Sequence, residues 1–267
     1  QAKSEGICQP ILLGNDEVIE KMAKEMDLNL EGIEIVNLRH PDEHERRERY
    51  ARILAEKRQR DGYTFQEAND KMFERNYFGM MMVETGEADA FITGLYTKYS
   101  NTIKVVNEVI GIRPEYKHFG AMHIINSPKG TLYIADTLVN ENPDTDTLVD
   151  IAKLAATSVR FFNEKPVISM ISHSNFGSSQ SDGAKKVRAA VEKMQSLYPE
   201  MAIDGEMQIG FALDRELRDN QYPFTRLNGK DVNTLVFPNL TSARSSYKML
   251  QMLDADVEII EIGRAHV

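Results

Sequence analysis

The sequence predicts an α/β protein organised as two subdomains, and three observations lead there. Short apolar runs alternate with stretches whose apolar residues recur at helical spacing, the pattern of strands interleaved with helices. At 267 residues the chain exceeds the usual size of one compact domain. Near its middle, two strand-like runs meet at Ser127-Pro128-Lys129-Gly130, a hairpin that purely alternating α/β units lack. The boundary is placed just before that hairpin. Residues 1–115 then form the first subdomain, with 255–263 returning to it, and 116–254 form the second, which carries the hairpin and is expected to dimerise.

Composition limits the function. With 42% apolar and 27% charged residues and no apolar run near bilayer length, the chain reads as an ordinary water-soluble protein. A net charge of -9 gives no general attraction to nucleic acid or anionic lipid, so small molecules and other subunits are the expected partners. Cys8 is the single cysteine, which excludes an intrachain disulfide and a cysteine-rich zinc site and fits a reducing cytoplasm. Both ends read as cut, and the closing Arg264-Ala265-His266-Val267 reads as a junction scar.

In the first subdomain, Ile11 to Gly14 reads as a strand, and Val18, Ile19, Met22 and Met26 as the inward face of a helix. A second strand is expected at Ile33 to Leu38. The charged stretch His44 to Arg60 is a solvated amphipathic helix with Tyr50, Ile53, Leu54 and Lys57 on one face. Thr64 and Glu67 fit a capping box, which starts the next helix near Phe65. Asn76 to Gly86 reads as a buried helix closed by glycine. Its three adjacent methionines pack in the core, because neighbours in sequence cannot share one helix face. Ala90 to Gly94 reads as a short buried strand, and Ile103, Val106 and Ile110 as the face of a helix ended by Gly111 and Pro114.

In the second subdomain, His118 to Asn126 and Thr131 to Asn140 are the hairpin strands. Asp144 caps a helix whose inward residues are Leu148, Ile151, Ala155, Val159 and Phe162. Val167 to Ile171 is a buried strand. Asp182 is expected to cap a helix with Val187, Ala190, Val191, Met194 and Leu197 inward, and Val232 to Phe237 is the last central strand, before a helix through Tyr247 to Leu253.

Ligands of open α/β sheets collect at the carboxyl ends of strands, and three such junctions are polar. The first, residues 92–104, brings Thr93, Gly94, Thr97, Lys98, Ser100, Asn101, Thr102 and Lys104 to a helix start, where amide donors and lysines favour an anion. The second, residues 171–179, gathers Ser172, His173, Ser174, Asn175, Ser178 and Ser179 around Gly177; His173 lines a pocket rather than acting as a base, for want of an acidic partner. The third follows the last strand at Asn239. Asp204 and Glu206 share strand-face parity, a geometry compatible with a cation or acid/base role, or equally with loop caps. Neither a metal site nor a covalent nucleophile is expected. There is no GxGxxG, GxxxxGK[ST], GxSxG or HExxH.

At these junctions the chain resembles the phosphate acetyltransferase and butyryltransferase family over nearly its whole length. YFGMMMVETGEADAFITG at 77–94, LYIADTLVNENP at 132–143, IDGEMQ and VFPNL carry the likeness. Within the family, RDGYTFQEA, GIRPEY, SPKGTLYIADT and above all SHSNFGSS resemble the domain fused behind the catalytic half of large bacterial malic enzymes. The resemblance implies two three-layer α/β subdomains of the isocitrate/isopropylmalate dehydrogenase-like fold, a cleft between them holding a coenzyme A ester such as acetyl-CoA, and a homodimer. It implies that malate, NADP and a divalent metal belong to a catalytic half outside this chain. Lys104 stands where active members carry arginine, a point charge in place of a bidentate fork; Thr97, Lys98 and Tyr99 replace a histidine-threonine-threonine loop; and the family's C-terminal serine-arginine-glycine segment has no counterpart before Val267. These departures imply a regulatory, oligomerising acetyl-CoA-binding domain of an NADP-dependent malic enzyme, the alternative being an active phosphate acyltransferase.

Overall fold

The computed structural model describes residues 2–94 and 97–264, so Leu95, Tyr96 and the last three residues of the terminal RAHV lie outside the described residues. The chain divides into two units at Gly111/Ile112.

In the first unit, β1 (Ile11–Leu13) and β2 (Glu34–Val36) pair in parallel. α1 (Asp16–Glu25) starts at Asn15, whose side chain accepts from the Val18 amide. Ala23 is its only buried residue; Val18, Met22 and Met26, expected to face inward, are exposed. α2 (His44–Arg58) buries Tyr50 and Leu54 as the spacing predicts, together with Ala51 and with Arg47, whose Nη1 donates to the Leu38 carbonyl at 2.6 Å, while Lys57 is exposed. α3 (Phe65–Lys71) opens on the predicted capping box: Thr64 Oγ1 accepts from the Glu67 amide at 3.2 Å and Glu67 Oε2 accepts from the Thr64 amide at 2.9 Å. Thr64→Ala should therefore lower the unfolding free energy by about 1 kcal/mol, read as a shift in urea midpoint at constant slope.

α4 (Arg75–Glu84) is buried nearly all round, so Met80, Met81 and Met82 reach the core from different sides. Gly79 lies against the Phe91 ring where a Cβ would collide. The expected strand at Ala90 to Gly94 is absent: Ile92 is 96% exposed and the segment pairs with nothing among the described residues. An apolar run becomes a strand only where a ladder edge takes its amides, and neither β1 nor β2 pairs with this one. α5 (Tyr99–Val109) buries Val105 and Val109, and Gly111 at φ 85° ends it.

The second unit holds a six-stranded sheet in the order β6-β5-β7-β4-β3-β8. β3 (Gly120–Ser127) and β4 (Gly130–Ala135) form the predicted hairpin, with Ser127 opposite Gly130. β5 (Val167–Ile171), β6 (Ala202–Met207) and β7 (Thr234–Val236) run parallel to one another and β4. Alternation along the strands sorts side chains to two cores. Ile124, Tyr133, Ile168 and Met170 pack under α6 (Thr145–Phe161) and α7 (Asp182–Leu197). Ile125, Ile134, Val167 and Ile171 pack under α8 (Ile209–Leu213) and α10 (Leu240–Leu253). This unit is thus three layers, with α9 (Arg215–Gln221) beside α8.

β8 (Glu258–Arg264) pairs antiparallel with β3, which corrects the expectation that 255–263 returns to the first subdomain. Its alternation is served by the second sheet, where Ile259 packs on the α10-side core. Ser181, not Asp182, caps α7, accepting from the Ala184 amide, and Leu197, expected to face inward, is exposed. Asp144 caps α6 as predicted.

Candidate functional site

The loop after β5 is organised by one buried carboxylate. In the β5–β6 ladder Met170 pairs with Gly205 and Ile171 with Met207, so Glu206 is the extra residue of a bulge. Gly205, at φ 146°, sits where a Cβ would come within 2.6 Å of the Met170 carbonyl oxygen. The bulge breaks the alternation that gave Asp204 and Glu206 a common face. Asp204 is a loop cap: it accepts from Thr225 Oγ1 at 2.7 Å and the Arg226 amide at 2.8 Å. Glu206, fully buried, turns to the loop instead.

Glu206 Oε1 accepts from Ser174 Oγ, the Gly177 amide and Arg188 Nη2, each at 2.9 Å, and Oε2 accepts from Arg188 Nε at 3.1 Å. Burial pushes the Glu206 carboxyl up, but the bonds from Arg188, Gly177 and Ser174 outweigh it and hold the group below its ordinary value. Arg188 moves the opposite way, raised chiefly by its bonds to Glu206, as a true pair requires. Phe176 and Gly177, at φ 44° and 92°, turn the chain over this anchor. Ser178 Oγ accepts from the Asn175 amide at 3.0 Å, and Asn175 Oδ1 accepts from the Gln208 amide at 2.8 Å. The predicted Ser174, Asn175, Gly177, Ser178 and Glu206 therefore do converge, but largely on one another. Ser172 is buried, its amide bonded to the Met207 carbonyl. His173 is exposed, its Nε2 3.3 Å from Ser179 Oγ and 3.4 Å from Ser181 Oγ, with no carboxylate at ion-pair distance among the described residues.

A second locus lies one step along the sheet. Asn239 caps α10, accepting from the Ser242 amide at 2.9 Å. Beside it, Lys186 Nζ donates to the Pro238 carbonyl at 3.2 Å and to Asn142 Oδ1 at 3.0 Å. Among the described residues no carboxylate lies within ion-pair distance of Lys186, and burial pulls its ammonium below the ordinary lysine value. Lys186 and Arg188 both leave α7, so one helix serves both loci.

In the first unit the chain enters α5 as expected, with Lys98 at the N-cap and no side chain capping the first amides. Thr97 Oγ1 and Thr102 Oγ1 are 3.1 Å apart, Thr93 Oγ1 donates to Asn76 at 2.7 Å, and Gly94 adopts φ 131°. Ser100 and Asn101 are exposed on the first turn of the helix. Lys104 is not an uncommitted cation: it stands 3.8 Å from Glu108, which also accepts from Tyr63 and Tyr77 and pairs with Lys71 at 3.8 Å. Among the described residues no group of three or more His, Cys, Asp or Glu is placed to hold a metal ion.

Arg188, Lys186 and His123 lie outside the three polar junctions that the sequence marks. His123 is buried, its Nδ1 2.7 Å from Thr137 Oγ1 and its ring stacked on Tyr247 at 4.2 Å. A usable signal existed for Arg188: an arginine among the buried positions of α7 needs a partner, and Glu206 was the acidic residue at a neighbouring strand end.

Comparison with known proteins gives consistent matches. The phosphate acetyl/butaryl transferase family matches residues 1–260. The NADP-dependent malic enzyme of Salmonella typhimurium is 37% identical over 94% of this chain but only 33% of its own length, so the chain spans about a third of such relatives. The phosphate acetyltransferase of Acetivibrio thermocellus is 32% identical over 93% of this chain and 75% of its own. Among solved structures, a phosphotransacetylase from Streptococcus pyogenes superposes with a TM-score of 0.85 at 28% identity, covering 98% of this chain and 79% of that one. The EutD phosphotransacetylase of Staphylococcus aureus gives 0.83 at 27%, covering 94% and 76%.

Proposed function

We propose, on the premise that the chain belongs to the phosphate acetyl/butaryl transferase family, as its match over residues 1–260 shows, that it is the phosphotransacetylase-like domain of an NADP-dependent malic enzyme. In this reading it binds acetyl-CoA as an effector and does not turn it over. Oxidative decarboxylation of malate, with NADP and a divalent metal, belongs to a catalytic domain outside this chain, and the whole works in the cytoplasm as a homodimer or larger homo-oligomer.

The observation that carries the binding reading is Lys186, a half-buried ammonium held by two neutral oxygens at the starts of α6 and α10, which feels the Asp144 carboxylate at a distance without pairing to it, so that an anionic phosphate would add a direct countercharge. The regulatory reading rests on the loop after β5. Its hydroxyls are committed to Glu206 and to each other, and among the described residues the His173 ring has only the Ser179 and Ser181 hydroxyls at hydrogen-bond distance, so no activated base or nucleophile is assembled there by the described residues. Identity of 37% to a malic enzyme against 32% to a phosphate acetyltransferase supports the parentage.

The expected result with acetyl-CoA and phosphate is no acyl phosphate; turnover of about 1 to 1000 per second would replace this reading with an active acyltransferase. Acetyl-CoA at a hundred times its dissociation constant should stabilise the fold by about 2.7 kcal/mol, and Lys186→Met should remove most of that shift. Lys98→Ala with Lys104→Ala tests separately whether the α5 segment contributes. A melting curve unmoved by millimolar acetyl-CoA would end the effector reading.

A further inference from the structure

We infer that Arg39 and Arg47, gathered on the ring of Phe73 in the first unit, form a binding site for a doubly charged oxyanion of the phosphate or dicarboxylate class. Nothing in it rests on acetyl-CoA binding at Lys186.

The ground is the charge balance of α2. His44, Arg46, Arg49, Arg52, Lys57 and Arg58 each stand at ion-pair distance from a carboxylate. Arg47 pairs with none among the described residues, although at 6% exposure it is the most buried cation of the helix. Its Nη1 donates to two neutral oxygens, the carbonyls of Leu38 at 2.6 Å and His40 at 3.1 Å, and its Nε is buried without a partner. A guanidinium does not shed its proton on burial, and carbonyl dipoles do not cancel a whole charge. Withdrawn from water, Arg47 therefore lacks a counterion.

A second cation adds to the deficit. The guanidinium carbons of Arg39 and Arg47 lie 5.7 Å and 4.8 Å from the centroid of the same Phe73 ring. The ring attracts each of them, but they repel one another. Arg39 is exposed and has no ion pair among the described residues. The acids of the segment are engaged elsewhere: Asp16 accepts from Asn37 Nδ2 at 2.9 Å, Asp42 stands 3.3 Å from His40, and Glu43 stands 3.3 Å from Arg46. An anion that reaches both guanidiniums answers both charges at once.

The position suits a ligand. β2 ends at Val36, so Arg39 follows the carboxyl end of a parallel strand, where open α/β sheets collect their ligands. Arginine supplies a planar fork that bonds two oxygens of a phosphate or carboxylate, which a lysine cannot do. Two forks call for an anion with two charges.

The test is titration of the 267-residue chain with inorganic phosphate, glycerol 3-phosphate and succinate, at ionic strength held constant with sodium chloride. Heat and the NMR signal of the Arg47 Nε–H are the readouts. At least one probe should bind saturably and move that signal with the same midpoint, and the tightest probe identifies the source of the oxyanion. Arg39→Gln, at an exposed position, should weaken binding on the order of tenfold or more. Arg47→Lys, which keeps the charge and loses the fork, should do the same; if that variant does not fold, Arg39→Gln decides alone. Lys186→Met should leave the binding in place. Failure of all three probes to saturate at millimolar concentration overturns the inference, as does equal affinity in Arg39→Gln or an Arg47 signal that does not move. Binding that disappears in Lys186→Met also overturns it, assigning the anion to the α7 locus.

Discussion

Arg188→Ala should lower the unfolding free energy at neutral pH by more than any exposed substitution on α7, because it leaves the fully buried Glu206 carboxylate without its charged partner. Glu206 is fully buried and would keep only the Ser174 hydroxyl and the Gly177 amide. Its carboxyl, held below the ordinary value in the wild type mainly by Arg188 acting against burial, would then be governed by burial and titrate higher. The sign of the pH dependence follows. In the wild type the depressed folded pKa contributes stability that is present above the unfolded carboxyl value and is lost as pH falls through the folded one. In the variant a raised folded pKa reverses that slope, so the gap between the two proteins should narrow as pH falls. Glu206→Gln should cost less, because Arg188 keeps contact with solvent and its bond to the Ser179 carbonyl. Urea denaturation of the three proteins at several pH values decides the matter. Equal losses for the two variants, or a gap independent of pH, would show that the pair does not anchor the loop.

The same network explains which parts of the site were legible in the sequence. A run of serine, asparagine and glycine after Val167–Ile171 announces a polar loop, because those residues satisfy backbone groups at strand ends. Whether its hydroxyls face a ligand or an internal anchor depends on Arg188, which arrives from the next helix, and on the bulge that re-aims Glu206. Bulge and arginine are both products of strand register and helix docking, neither of which is written in local spacing. Lys186 was invisible for the same reason: its acceptors lie 44 and 52 residues away in sequence.

Local devices read well. The capping box at Thr64 and Glu67, the Asp144 cap, the hairpin turn and the bounds of β5 each depend on residues within one or two turns of each other. The failures share a nonlocal cause. Periodicity identifies the stripe on α1 but not that Val18, Met22 and Met26 stay exposed. The apolar run at Ala90 to Gly94 looks like a strand until a ladder edge is required, and the edge that receives β8 belongs to β3, more than a hundred residues earlier by the numbering.

His123 should make the fold acid-sensitive in a window that no depressed carboxylate occupies. Burial, reinforced by the nearby Lys248 and Arg244, lowers its imidazole from 6.5 to about 4. The folded state thus requires the neutral ring, stacked on Tyr247 with Nδ1 2.7 Å from Thr137 Oγ1. Above pH 6.5 neither the folded nor the unfolded state holds the proton and there is no penalty. As pH falls below 6.5 the unfolded chain takes it up and the folded chain does not, so stability declines until about pH 4, where the folded ring titrates too. A shift of that size corresponds to at most roughly 3.4 kcal/mol, and relaxation or water entry will reduce it. Glu206 and Glu108, whose carboxyls are held below the ordinary glutamate value of 4.5, lose their contributions only at lower pH, so the upper part of the decline isolates the histidine. His123→Phe keeps a ring against Tyr247 and removes the titration. The variant should be less stable than the wild type at pH 7, because Thr137 loses its partner, yet its stability should be flatter between about pH 6.5 and 4.5. Thermal or urea unfolding of both proteins across that range is the measurement. A wild-type slope that survives intact in His123→Phe would mean that other groups bind the proton and that the buried ring is not the acid-sensitive element.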